Sequence, residues 1–123
     1  MNRRAVQGLL AGACLAAAGA GAQAQQAMQF YDDEGTNADG STYSGSAVIE
    51  ATSSDTCSIT WKVGGTSYDG YCMRSGDTLA AAYADGDDVG LVIYQVEPDG
   101  TLRGEWTIAG TGGRGTDVLT PIR

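Results

Sequence analysis

Residues 56–72 read TCSITWKVGGTSYDGYC, and this stretch decides the fold class. Two runs of alternating apolar and polar residues flank the pair Gly64-Gly65, which is typical of a two-residue β-hairpin turn. A turn at these glycines places Cys57 directly opposite Cys72, at a separation that a disulfide can bridge. The register of the hairpin, and not only the count of cysteines, therefore predicts a Cys57–Cys72 disulfide.

The same register sorts the side chains of the hairpin onto two faces. Trp61 faces Tyr68 across the two strands, and both fall on the apolar face together with the cysteines. Successive side chains of a strand point to opposite faces, so the polar residues between them lie on the other side. This pattern predicts an antiparallel sheet with one face on a core and one face in water.

Turn signals recur about every 8–12 residues along the rest of the chain, as in all-β sandwiches and barrels. The predicted strands are 28–33, 42–51, 56–64, 66–73, 78–83, 89–96, 101–108 and 115–121. The apolar run at 89–96 further indicates a strand covered on both faces. Eight sequential strands predict an all-β, antiparallel up-and-down meander that closes into a small barrel, because closure removes exposed edges. A two-sheet sandwich is the alternative.

The N-terminus has the pattern of a cleavable secretory signal. Arg3 and Arg4 precede an apolar stretch that ends in Ala22-Gln23-Ala24, the small-x-small pattern of a cleavage site. We predict a signal peptide over 1–24, cleaved after Ala24, and a single domain over 25–123 that is periplasmic or secreted. A membrane anchor is the alternative, but it needs roughly 20 apolar residues and no cleavage site.

Cysteine usage agrees with export. Cys14 lies within the predicted signal, which leaves Cys57 and Cys72 as an even pair in an oxidising compartment. A metal site is the alternative for this pair, but the predicted mature domain has no His and no further Cys to complete a ligand set. The acidic stretches at 32–39 and 85–88 lack the ligand spacing of a calcium loop. We therefore expect no metal and no cofactor.

Charge narrows the classes of partner. The chain has 7 Lys and Arg against 15 Asp and Glu, and loss of Arg3 and Arg4 with the signal leaves a net charge of about −10. Nucleic acid and anionic membranes repel such a domain, so neither is expected as a partner. A small ligand or a cationic protein, such as a lysozyme-type enzyme, is compatible with the charge.

Four aromatic residues on the inferred inner face are the candidates for ligand binding: Tyr43, Trp61, Tyr68 and Trp106. Small Gly and Ala residues alternate with them on the same face. An eight-stranded barrel is either filled by its side chains or hollow enough for one small ligand. In a filled barrel, which is the usual case, the small residues simply make room for the rings. In a hollow barrel they leave a cavity lined by the rings.

Catalytic groups are not evident in the sequence. The chain has no His to serve as a general base, and both remaining cysteines are expected to be oxidised. Carboxylates fall in turns or on outward positions such as Glu105, and no pattern brings two of them into one cleft. The sequence therefore predicts a non-enzymatic, exported β-barrel binding module. The alternative is an acidic protein-binding or inhibitor module that acts on a cationic protein.

Several further segments carry a resemblance. Residues 34–45 read EGTNADGSTYSG, residues 61–65 read WKVGG, and residues 99–106 read DGTLRGEW. Together they resemble a group of small exported, β-barrel-like proteins of alphaproteobacteria, over nearly all of the mature domain. The resemblance implies export and the barrel, and it carries over no functional residue. A looser likeness in strand number joins the chain to avidin-like and lipocalin-like barrels, and architecture of this kind does not convey function.

Overall fold

A computed structural model describes residues 28–123, so the predicted signal peptide lies outside the described residues. Eight antiparallel strands pair in chain order, and the last strand pairs with the first to close a barrel. The predicted all-β meander barrel is therefore confirmed. The sandwich alternative is wrong, because pairing of the first and last strands leaves one continuous closed sheet. Residues 28–123 contain no helix long and apolar enough to cross a membrane.

The strands are β1 (Met28–Thr36), β2 (Thr42–Ala51), β3 (Thr56–Val63), β4 (Thr66–Ser75), β5 (Thr78–Asp85), β6 (Asp88–Val96), β7 (Leu102–Ile108) and β8 (Gly115–Pro121). Seven of them end within two residues of the predicted bounds. The exception is β1, which continues to Thr36 because its pairing with β2 runs on to Thr42. Asp33, where the predicted strand ended, consequently lies inside β1.

The hairpin of β3 and β4 has the predicted register. Trp61 faces Tyr68, and Cys57 faces Cys72. The Cα atoms of the two cysteines are 5.0 Å apart and their disulfide is formed, which confirms the predicted pairing. Gly64 and Gly65 both have positive φ, 59° and 82°, as a type I′ turn requires. The disulfide is consistent with an oxidising, exported compartment.

The two ends of the barrel differ. At one end, which we call the open end, lie the connections that follow β1, β3, β5 and β7; the other end, which we call the closed end, holds the remaining connections and both termini of the described chain. The Cys57–Cys72 disulfide and buried Leu79, Leu102 and Leu119 pack the half of the barrel near the closed end. Apolar burial and the disulfide therefore both stabilise the closed end, whereas the four candidate aromatic residues lie towards the open end.

The outer wall of β6 departs from the expectation of a strand covered on both faces. Val92 and Tyr94 point into the barrel, whereas Leu91 and Ile93 are 46% and 62% exposed. A barrel wall has one inner and one outer face, and no second layer of the described residues lies over β6. The apolar run therefore does not mark a doubly buried strand.

Candidate functional site

The open half of the barrel encloses a cavity of about 330 Å³. Pockets for small molecules begin at about this size, so a ligand built on one ring fits. The barrel is thus packed in its closed half and hollow in its open half. The sequence allowed either a filled interior or a lined cavity. The closed half is filled and the open half holds the cavity.

The four aromatic residues singled out in the sequence all line this cavity: Tyr43, Trp61, Tyr68 and Trp106. Trp61 is 6% exposed, and the other three are half-buried. Their placement on one cavity is an observation, while their contribution to binding stays a prediction. The sequence did not single out Tyr83 of β5, which lies among them.

The rings form two groups on the cavity walls. Trp61 and Tyr83 have centroids 5.1 Å apart, and Tyr68 meets Tyr83 edge-on at 5.9 Å. Tyr43 and Trp106 form a second edge-on pair at 6.4 Å. Such tilted and edge-on contacts hold the rings in place beyond their simple burial. The walls are therefore apolar surfaces of defined orientation.

Two glycines make room for these rings. A Cβ atom on Gly90 would lie 2.0 Å from the ring of Tyr83, and one on Gly115 would lie 2.4 Å from the indole of Trp106. The absence of a side chain lets each ring lie flat against the strand wall. Gly90 and Gly115 therefore make room for rings, whereas a Cβ on Gly45, Gly70 or Gly104 would first meet a backbone oxygen of the neighbouring strand. A cavity remains between the ring groups.

The floor of the cavity is a hydrogen-bonded network centred on Asp117 of β8. The hydroxyl of Tyr94 donates to Oδ2 of Asp117 at 2.5 Å, and the hydroxyl of Tyr43 donates to Oδ1 at 2.8 Å. Nε1 of Trp61 donates in turn to the hydroxyl oxygen of Tyr94 at 3.0 Å. Because buried polar groups are stabilised when satisfied, this network fixes the position of the aromatic residues at the floor.

Asp33 lies beside Asp117 and completes the floor. Gly35 of β1 faces Asp117 of β8, so Asp33 is two residues along the neighbouring strand on the same inner face. Burial, followed by the hydrogen bond and charge of Asp117, raises the pKa of Asp33 to about 9. Asp33 is therefore protonated at neutral pH and can donate its proton to Asp117. The neighbouring charge of Asp117 thus favours the neutral form of Asp33.

The phenols of the floor remain hydrogen-bond donors over the whole physiological range. Burial raises the pKa of Tyr94 well above its ordinary value, and the charge of Asp117 raises it further. Burial and Asp117 act in the same direction on the pKa of Tyr43. As the pH rises, Asp33 therefore loses its proton before the phenols of Tyr43 and Tyr94 do.

The expectation that no two carboxylates share a cleft was wrong. The sequence predicts Asp33 as the last residue of its strand and places the carboxylates in turns or on outward positions, so its inward side chain within β1 was missed. A signal for Asp117 was present, since Gly115, Asp117 and Leu119 alternate and Leu119 belongs to the core. Asp117 was nevertheless missed because the adjacent pair Val118-Leu119 makes either face of β8 acceptable from sequence alone.

The two carboxyl groups of the floor are deeply buried. Asp33 is 1% exposed and Asp117 is 3% exposed, so both carboxyl groups are almost entirely shielded beneath the cavity floor. A general acid or base must reach its substrate within hydrogen-bond distance. Within residues 28–123, no cluster of three acidic, Cys or His side chains is arranged to hold a metal ion.

Comparison with known proteins supports the fold and gives no information on function. Neither a protein family nor a curated protein matches the chain. Among solved structures, a redesigned β-barrel is similar, with a TM-score of 0.64 and 17% sequence identity over 81% of this chain and 95% of that chain. Likeness at this level of identity supports the closed barrel and carries no function.

Proposed function

We propose that the mature domain is a non-enzymatic binding protein that holds one small ligand in the open half of its barrel. It is exported by the signal peptide over 1–24 to the periplasm or the cell exterior. The observation that carries the proposal is the hollow open half, walled by aromatic rings, above a fully packed closed half. The four predicted residues Tyr43, Trp61, Tyr68 and Trp106 are its proposed ligand contacts.

Burial of an apolar ring supplies part of the free energy that this function needs. A one-ring ligand that loses about 200 Å² of apolar surface gains roughly 5 kcal/mol. The loss of translational and rotational freedom offsets part of that gain. Affinity from the apolar walls alone is therefore expected to be about millimolar or weaker, and polar recognition by the floor adds to it.

Replacement of Tyr68 by alanine tests the site, with Tyr71→Ala as the matched control. Both tyrosines lie on β4, but Tyr68 lines the cavity whereas Tyr71 is 78% exposed on the outer wall. We expect Tyr68→Ala to weaken binding of one-ring aromatic compounds about tenfold, from the loss of roughly 1.4 kcal/mol of ring contact. Tyr71→Ala should change the affinity less than twofold.

Titration of tryptophan fluorescence measures this effect directly, because Trp61 and Trp106 both line the cavity. A screen of one-ring compounds identifies the probe, and the same probe is then titrated into both variants. Absence of binding to the unaltered protein across the screen, or equal weakening by the two variants, would contradict the proposal.

The outer wall supports a second candidate, a protein-binding or inhibitor module that docks on a cationic protein. Tyr71, Met73 and Ile93 are 78%, 57% and 62% exposed on the neighbouring strands β4 to β6. The turn after β5 places exposed Asp87 and Asp88 beside this apolar face. An apolar patch with an acidic border matches a partner surface that is apolar and bordered by basic residues.

Association with a basic lysozyme, measured at about 50 mM and 500 mM salt, tests this second candidate. We expect the affinity to fall at least tenfold at the higher salt, since attraction between exposed charges is screened there. Ile93→Ser should weaken binding at both salt concentrations, because it removes apolar contact. Binding that neither salt nor Ile93→Ser affects would rule out this surface.

A further inference from the structure

The charges around the cavity are unbalanced. Asp33 and Asp117 lie at its floor and Asp85 at its rim, and within residues 28–123 no Lys or Arg lines it. The basic side chains of the described range are all exposed, and three of them pair with acids of the outer surface. The cavity is therefore a region of negative potential that the described chain does not neutralise.

Asp33 shows that the floor lacks a hydrogen-bond partner among the described residues. Its side chain is 1% exposed, and neither carboxylate oxygen has a hydrogen-bond donor among the described residues. Asp117 does not supply one, because its own oxygens already accept from Tyr43 and Tyr94. Nearly all buried polar groups in proteins are satisfied, so these oxygens mark a position where a partner outside the described residues is expected.

The walls of the cavity attract the same sign of charge. The rings of Trp61, Tyr68 and Tyr83 border the space above the acid pair. The face of an aromatic ring is electron-rich and attracts a cation that lies within about 6 Å of its centroid. Aromatic walls above an acidic floor are the usual composition of a site for organic ammonium groups.

We propose that the cavity selects small organic cations, namely a primary or quaternary amine carried on one ring or a short aliphatic group. The charge lies above the Asp33–Asp117 floor, and the apolar part packs against the aromatic walls. This inference rests on the proposed function and specifies its ligand class. Direct contact with Asp33 is not required, because charges in a poorly solvated site are weakly screened across a short distance.

Binding of a cation is linked to the proton on Asp33. The titratable groups that face Asp33 are Asp117 of β8, Tyr43 of β2 and Tyr94 of β6, with Glu34 beside it on β1. A cation favours the ionised form of a nearby carboxyl group, so binding expels the proton. The affinity for a cation of fixed charge therefore rises as the pH approaches the pKa of Asp33, about 9.

The test compares three probes of similar size, benzyltrimethylammonium, benzyl alcohol and benzoate, by fluorescence titration and calorimetry at pH 7 and low salt. We expect the cation to bind at least tenfold more tightly than the alcohol, and benzoate to bind most weakly. Asp117→Asn should bring the ratio of cation to alcohol affinity close to one. Asp87→Asn removes the same charge outside the cavity and should leave the ratio unchanged.

A second arm uses pH. Benzyltrimethylammonium does not titrate, so any pH dependence of its binding belongs to the protein. We expect its affinity to rise several-fold from pH 7 to pH 9, with proton release seen as different binding heats in two buffers of unequal ionisation enthalpy. Asp33→Asn should abolish both effects. This arm does not depend on Asp117→Asn. Asp33 is already uncharged at neutral pH, so Asp33→Asn exchanges one neutral side chain for another and is expected to fold.

The outcomes separate the inference from the proposed function. Equal affinity for the cation and the alcohol in the unaltered protein overturns the charge selectivity and leaves the binding function standing. Binding of the cation without proton release overturns the role of Asp33. Failure of all three probes to bind overturns both the inference and the proposed function.

Discussion

Replacement of Asp33 by asparagine is expected to stabilise the protein above neutral pH and to flatten the pH dependence of its stability. The pKa of Asp33 is about 9 in the folded protein, against about 4 in an unfolded chain. Between these values the folded state binds one more proton than the unfolded state. The stability contributed by this group is therefore complete below about pH 4 and is lost as the pH rises through 9.

The size of this effect follows from the linkage relation. One additional bound proton changes the free energy of unfolding by at most about 1.4 kcal/mol per pH unit. Over the range from pH 5 to pH 9 the unaltered protein should therefore lose several kcal/mol. An asparagine at position 33 does not titrate, and its amide can donate to Asp117 as the protonated acid does.

Urea denaturation at pH 5, 7 and 9 measures the effect, with Asp32→Asn as the matched control. Asp32 is the adjacent residue of β1, and its side chain is exposed on the outer wall. The control removes one carboxyl group from the same strand without touching the floor, so the slope should stay that of the unaltered protein. An Asp33→Asn variant with an unaltered slope would show that Asp33 titrates normally in the folded state.

Reduction of the Cys57–Cys72 disulfide is expected to lower the free energy of unfolding by about 3 kcal/mol, the entropic value for a loop of this length. The two cysteines are 15 residues apart and lie in one hairpin. The fold should persist, because the backbone pairing of β3 with β4 extends over eight residue pairs without the cross-link. The barrel should therefore unfold at lower urea concentration but keep its far-UV spectrum in buffer.

Comparison of the oxidised protein, the reduced protein and Cys57→Ala/Cys72→Ala separates the cross-link from packing. Both cysteines are buried, so the double variant also loses apolar contacts and should be less stable than the reduced protein. Ligand binding should be retained in all three forms, because the disulfide lies in the closed half and the cavity in the open half. Equal stability of the oxidised and reduced forms would mean that the unfolded chain already holds this hairpin.

Local signals in the sequence were sufficient for most of the fold. The hairpin at Gly64-Gly65 and its disulfide followed from turn chemistry and a period of two, which act over a few neighbouring residues. Two predictions about the strands were wrong for the same reason, namely that the features concerned depend on residues distant in the sequence. The extension of β1 is set by its pairing with β2. Leu91 and Ile93 are exposed because no layer of the described residues covers β6.

The candidate site was only half predictable. Tyr43, Trp61, Tyr68 and Trp106 were assigned to the inner face by alternation, and they line one cavity. Alternation states which face a residue occupies, but not how high it lies along the barrel or what stands across from it. The acid pair was therefore missed.

The sequence by itself determined an antiparallel all-β domain, its hairpin register and the partner of each cysteine, because these depend on turns and alternation within short segments. Only the tertiary structure decided that the barrel is packed at one end and hollow at the other. Closure of β1 on β8 brings Asp33 beside Asp117, although the two are far apart in the chain. The raised pKa of Asp33 depends in part on that proximity, and no local pattern encodes it.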